Sequence, residues 1–121
     1  MVQKVLSGID DDSLRISIVW TAALGNDTYE ESIRSRELIP DPRVRHYWDG
    51  ANALGTLAAP VLGTKMQMAW DVYFAYGRGA KWEGGGAPPK PANWLHQKIS
   101  EDPKRRMDEA TLGAMLRDVL K

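Results

Sequence analysis

Met68-Ala69-Trp70-Asp71-Val72-Tyr73-Phe74-Ala75-Tyr76 holds more strand-forming bulk than any other nine residues of the chain. Aromatic and β-branched side chains favour a pleated, half-buried surface, so this stretch is expected to be the central strand. Trp70, Val72 and Phe74 would line one face, with Asp71, Tyr73 and Tyr76 on or near the other. One side would then be dry and the other partly polar. Downstream, Gly77-Arg78-Gly79 turns the chain, and Ala80-Lys81-Trp82 is placed to pair back as a hairpin partner. Glu83 to Pro91, with three consecutive glycines and three prolines, reads as a loop. From Asn93 to Ile99, Leu95, Gln97 and Ile99 alternate with Trp94, His96 and Lys98, which suits a short edge strand.

Upstream, Leu54, Leu57, Ala58, Val61 and Leu62 follow the helical spacing, with Pro60 expected to kink or shorten the helix and Gly63 to stop it. Val44, His46 and Trp48 alternate with Arg45 and Tyr47 as a second strand, and Asp49 stands where it can cap the following helix. Thr28 and Glu31 have the capping-box spacing for a helix running to about Leu38, whose thin stripe of Tyr29 and Ile33 predicts an exposed position. Leu14, Ile16, Ile18 and Trp20 alternate as the first strand. Met1 to Asp12 reads as a loose lead-in ending in the acidic turn Asp10-Asp11-Asp12. At the other end, Asp108 caps a helix whose stripe of Leu112, Met115, Leu116, Val119 and Leu120 must dock on the sheet.

A chain of 121 residues is expected to form one domain, 1–121, with a real core. Sixteen basic and sixteen acidic side chains cancel, so there is no field to draw nucleic acid or an anionic membrane, and neither is expected as a partner. No apolar run has signal-peptide or membrane-spanning length, which makes a soluble cytoplasmic protein the default. The absence of cysteine removes disulfides, thiolate nucleophiles, sulfur-bound zinc and iron–sulfur clusters together.

The order strand, helix, strand, helix, strand, strand, helix implies an α/β fold with a mixed sheet of about four strands flanked by helices. That succession, βαβαββα, resembles the thioredoxin-like fold. Ile16 to Asp27 stands where such proteins carry the redox dithiol, Val44 to Asp49 with the Leu54 helix matches the middle unit, and Trp70–Tyr76, Asn93–Ile99 and the Leu112 helix match the close. Asp41-Pro42-Arg43-Val44, Tyr47-Trp48-Asp49, Ala69-Trp70-Asp71-Val72-Tyr73 and Trp94-Leu95-His96-Gln97 look like a set of small bacterial thioredoxin-like proteins, a likeness that implies no activity. Two departures limit what the resemblance implies: Ala22-Ala23-Leu24-Gly25-Asn26-Asp27 holds no sulfur, and Met68-Ala69 replaces the family's usual cis-proline. Thiol–disulfide exchange requires a thiolate, so an oxidoreductase of the ordinary family type is excluded.

Only His46 and His96 have side chains that titrate near neutrality without large perturbation, so an acid–base enzyme or metal protein would be built on them with Asp49 or Asp71. The residues themselves assign no metal and no cofactor. Gly77-Arg78-Gly79 and Gly84-Gly85-Gly86 lack phosphate-loop spacing and open no helix. The aromatic load, five tryptophans and four tyrosines, is the more distinctive feature. It leads to the principal expectation: a redox-inactive thioredoxin-like binding module with an aromatic surface around Trp48, Trp70, Tyr73 and Trp94 that holds a small ligand or a protein, including a second copy in a homodimer. The rival expectation is the enzyme or metal protein on His46, His96, Asp49 and Asp71.

Overall fold

The computed structural model describes residues 1–24, 27–98 and 101–121. Helix α1 (Val2–Ser7) is followed by β1 (Ile16–Thr21), α2 (Tyr29–Arg36) and β2 (Val44–Asp49); α3 (Ala53–Ala58) then continues as a 3-10 turn (Ala59–Leu62). Strands β3 (Val72–Ala75) and β4 (Asn93–His96), a second 3-10 turn (Pro103–Arg105) and α4 (Glu109–Val119) complete a mixed α/β chain.

Local chemistry explains most of the boundaries. The Thr28 hydroxyl accepts the Glu31 N–H at 3.2 Å, and Asp108 forms a reciprocal capping box with Thr111, so α2 and α4 begin where side chains satisfy otherwise orphaned donors. Pro60 converts the end of the α3 segment into a 3-10 turn, and Gly63 closes it at φ 68°. Both carboxylate oxygens of Asp49 accept N–H groups at the start of α3, from Ala53 at 3.0 Å and Leu54 at 2.9 Å. That is the capping role its position predicted.

All four predicted strands form, but their ladders make two sheets of two strands each. β1 and β2 run parallel, from Ile16 opposite Val44 to Thr21 opposite Asp49; β3 and β4 run antiparallel, from Val72 opposite His96 to Ala75 opposite Asn93. The expected central strand is also shorter than the nine-residue stretch. Asp71 adopts φ 53°, a left-handed conformation that ends the extended run just before Val72. The expected partner Ala80–Trp82 forms no strand; Trp82 instead donates its indole N–H to the Gly86 carbonyl at 3.1 Å within the glycine-rich loop. Ile99, the last residue of the predicted edge strand, and Gly25-Asn26 in the turn after β1 lie outside the described residues.

β3 is packed on both sides. Tyr73 and Ala75 join the main core with Leu95, Leu112 and Met115, whereas Val72 and Phe74 meet a smaller cluster of Ala58, Ala59 and Ala69. The side expected to be partly polar therefore faces the main core.

The lead-in is not loose. Val2, Val5, Leu6 and Ile9 recur at helical spacing, and α1 docks on α4 with Leu6 only 1% exposed. Its C-terminal end is held by Arg43 on the approach to β2. That guanidinium donates to the carbonyls of Leu6 (2.7 Å), Ile9 (2.6 Å) and Asp11 (3.2 Å), and to both oxygens of Asp41 (3.0 and 2.7 Å). All five N–H donors of one arginine are thereby used.

Candidate functional site

The two histidines are structural members of their strands. His46 on β2 accepts the Trp20 indole N–H at Nδ1 (3.1 Å), and its Nε2 lies 3.2 Å from the Ile39 carbonyl. A carbonyl can only accept, so these partners assign the proton to Nε2. His96 on β4 has the same pattern: Nδ1 accepts the Lys98 backbone N–H at 3.0 Å and Nε2 donates to the Asp102 carbonyl at 2.6 Å. It is 0% exposed. A general base needs a free lone pair facing its substrate, and in both rings the basic nitrogen already holds a protein donor. Asp49 is likewise occupied by its two helix-capping bonds. Among the described residues, no three His, Cys, Asp or Glu side chains gather closely enough to hold a metal ion, so His46, His96, Asp49 and Asp71 do not gather into a shared metal site.

Asp71 has a different setting. The ladder of β3 and β4 continues past its last strand pair: the Gln97 N–H donates to the Asp71 carbonyl at 2.9 Å. Trp70 and Lys98 each stand two residues beyond the terminal Val72–His96 pair. The Lys98 ammonium lies 4.6 Å from the centre of the Trp70 ring, a cation–π contact. Tyr73, on the adjoining strand, donates its hydroxyl to Gln97 Oε1 at 2.5 Å. The fixed segment Gln97–Lys98 owes its position to His96, whose ring bonds Lys98 on one side and Asp102 on the other.

The electrostatics follow from this crowding. Partial burial raises the Asp71 carboxyl above its ordinary range; Lys98 opposes the shift and Asp27, arriving from the β1–α2 connection, adds to it. Burial, with a further push from Asp71, raises the Tyr73 phenol to about 12, so it remains a hydrogen-bond donor. The Asp71 carboxylate has no hydrogen bond or ion pair among the described residues, and neither does the Trp70 indole N–H. This corner therefore holds an open acceptor, an open donor and an aromatic face, linked by the Lys98 ammonium, which reaches the Trp70 ring and acts on the Asp71 carboxyl.

The other two aromatic residues of the predicted surface lie elsewhere. Trp48 pairs with Trp20 across β1 and β2 and sits 6.5 Å from Tyr29 between ring centres. Trp94 is buried beneath the Arg105 guanidinium at 4.7 Å and borders a groove of about 690 Å³ with Asn93, Lys104, Thr111 and Met115. Thus Trp70 and Tyr73 share a neighbourhood with Asp71, while Trp48 and Trp94 each belong to a separate one. Sequence reading missed Asp27, Gln97 and Lys98 as members of this corner. The β3–β4 register is the signal that finds the latter two, since an antiparallel pair that ends at Val72 and His96 leads directly on to Asp71 on one strand and to Gln97 and Lys98 on the other. Neither a family model, nor a curated protein, nor a solved structure matches the chain.

Proposed function

We propose that the chain is a redox-inert, thioredoxin-like interaction module that recognises a protein partner at the corner formed by Trp70, Asp71, Tyr73, Gln97 and Lys98. The fold part of this reading is supported by the strand and helix order, and by β3 being covered on both faces. The lack of sulfur leaves no thiolate to carry the chemistry usually associated with that architecture.

The single observation that supports recognition is a contrast in hydrogen bonding. His46, His96 and Asp49 have their polar atoms filled by the protein itself, whereas Asp71 and Trp70 offer theirs to solvent beside an aromatic face. Groups already paired stabilise a fold; groups held in place and left open are available to a partner. Asp71 also keeps a backbone conformation unfavourable for a non-glycine residue, which its bond to Gln97 helps to hold. Trp70 and Asp71 line neither the groove beside Trp94 nor the depression between α1 and α4, and the exposed position of Asp71 suits a protein side chain more than an enclosed small molecule.

The test is a binding map. The five tryptophans give five indole N–H resonances, and Trp70→Phe identifies one of them. A co-purifying partner or a peptide-library hit should shift the Trp70 indole and the Gln97 and Lys98 amides. If hits consistently perturb Trp48 or the Trp94 groove and leave Trp70 unmoved, the assignment of this surface is wrong.

A further inference from the structure

Building on that reading, we infer that the group received at this corner is an arginine side chain of the partner protein, its guanidinium lying on the Trp70 ring and forking onto the Asp71 carboxylate. The chain shows the chemistry of the site through its own residue. Lys98 already places an ammonium 4.6 Å from the Trp70 ring centre, so this aromatic face accommodates a cation. That internal cation makes no ion pair or hydrogen bond through its side chain among the described residues, and it leaves the Asp71 oxygens without a donor. A guanidinium can do both at once: it is planar, stacks on an indole, and presents parallel N–H groups matched to a carboxylate. Lysine, a point charge on a flexible stem, does only the first here.

The local charge points the same way. Asp27 and Lys98 both act on the Asp71 carboxyl, Asp27 raising it and Lys98 opposing. The charges that bear on Asp71 are one carboxylate and one ammonium, so its own negative charge is left to attract a further cation. Lys98 then acts as a resident competitor that an incoming arginine must move aside. Its backbone N–H stays anchored on His96, so the side chain can swing away without disturbing the fold.

This arrangement sets opposite expectations for two neutralising substitutions. The probe is the capped tripeptide acetyl-Gly-Arg-Gly-amide, titrated at low salt and read from the Trp70 indole N–H resonance. The native chain should give a saturable shift; Asp71→Asn should weaken it about tenfold or more, and Lys98→Met should strengthen it several-fold. Equal affinity in native and D71N protein, or no shift in either the native or the K98M protein, overturns the inference. Binding of acetyl-Gly-Glu-Gly-amide instead, lost in K98M, also overturns it while leaving the surface itself a recognition site. Agmatine binding more tightly than the arginine tripeptide would assign the site to a free amine and overturn the choice of a protein side chain.

Discussion

The imidazole of His96 ties Lys98 to Asp102: Nδ1 accepts the Lys98 N–H at 3.0 Å and Nε2 donates to the Asp102 carbonyl at 2.6 Å, with the ring fully buried. The tie closes the connection between β4 and the second 3-10 turn and positions the cation that covers Trp70. Replacing His96 with alanine would strand a backbone donor and a backbone acceptor and leave a cavity. We expect a loss of about 2–5 kcal/mol in urea unfolding, together with a shifted Trp70 indole resonance. A His96→Ala protein as stable as the native chain would contradict the role assigned to this ring.

Arg43 and Asp41 form the other buried polar tie, with side chains only 14% and 8% exposed. Hydrogen bonding from the Arg43 side chain, then from its backbone N–H, lowers the Asp41 carboxyl from 3.8 to about 2. Because the folded value lies below the unfolded one, the stabilisation is complete above 3.8 and is lost as pH falls toward about 2. The native protein should therefore weaken across this acid window, and Asp41→Asn should flatten part of that decline. Arg43→Met removes one partner and uncaps α1, so it should cost about 3–5 kcal/mol at neutral pH. Urea midpoints measured from pH 5 to pH 2 test the window, an interval chosen to bracket the carboxylate range.

Two glycines in helices should respond oppositely to alanine. A Cβ on Gly55 would lie 2.7 Å from the Ala69 carbonyl oxygen and 2.8 Å from Met68 Cγ, where α3 meets the segment leading to β3. The Gly55 carbonyl also accepts the Ala69 N–H at 2.8 Å, so backbone cannot retreat without breaking a bond. The steric cost, about 1–3 kcal/mol, exceeds alanine's helical advantage of about 1 kcal/mol. Gly113 in α4 would meet the end of the Arg117 side chain at 2.8 Å, which can rotate away. Gly113→Ala should then be neutral or raise the melting temperature, while Gly55→Ala lowers it.

Where a boundary depended on local chemistry, the residues disclosed it. Thr28, Asp49, Pro60, Gly63 and Asp108 each mark an end or a bend found in the structure, because a cap or a missing N–H acts within one turn of itself. Period-two alternation located β1, β2 and β4 for a similar reason. The failures involve distant partners. Nothing near Asp71 in sequence announces its left-handed backbone, which is tied to Gln97, and nothing near Trp70 announces Lys98. Pairing the aromatic residues by composition alone placed Trp48 and Trp94 with Trp70, although strand register separates them. The histidines looked chemically available for the same reason: the partners that occupy their nitrogens, Trp20 for one and the backbone of Lys98 for the other, are fixed only by the fold.

The helical spacing of Val2, Val5, Leu6 and Ile9 announces α1, but the segment is short and carries no side-chain N-cap, which gives it the local look of a loose lead-in. Six residues are too few to hold a helix in water by themselves, so α1 depends on α4 and on the arginine at its C-terminal end. That dependence makes a direct measurement. Leu6→Ala should cost about 2–5 kcal/mol, the range for emptying a well-packed site, whereas Leu38→Ala, at 73% exposed, should stay within about 0.5 kcal/mol. If the segment were a loose lead-in, the two leucines would be equally dispensable. Unequal urea midpoints, with hydrogen exchange at Val5 and Leu6 slowing to the rate of the α4 amides, would place α1 in the same cooperative unit as the core.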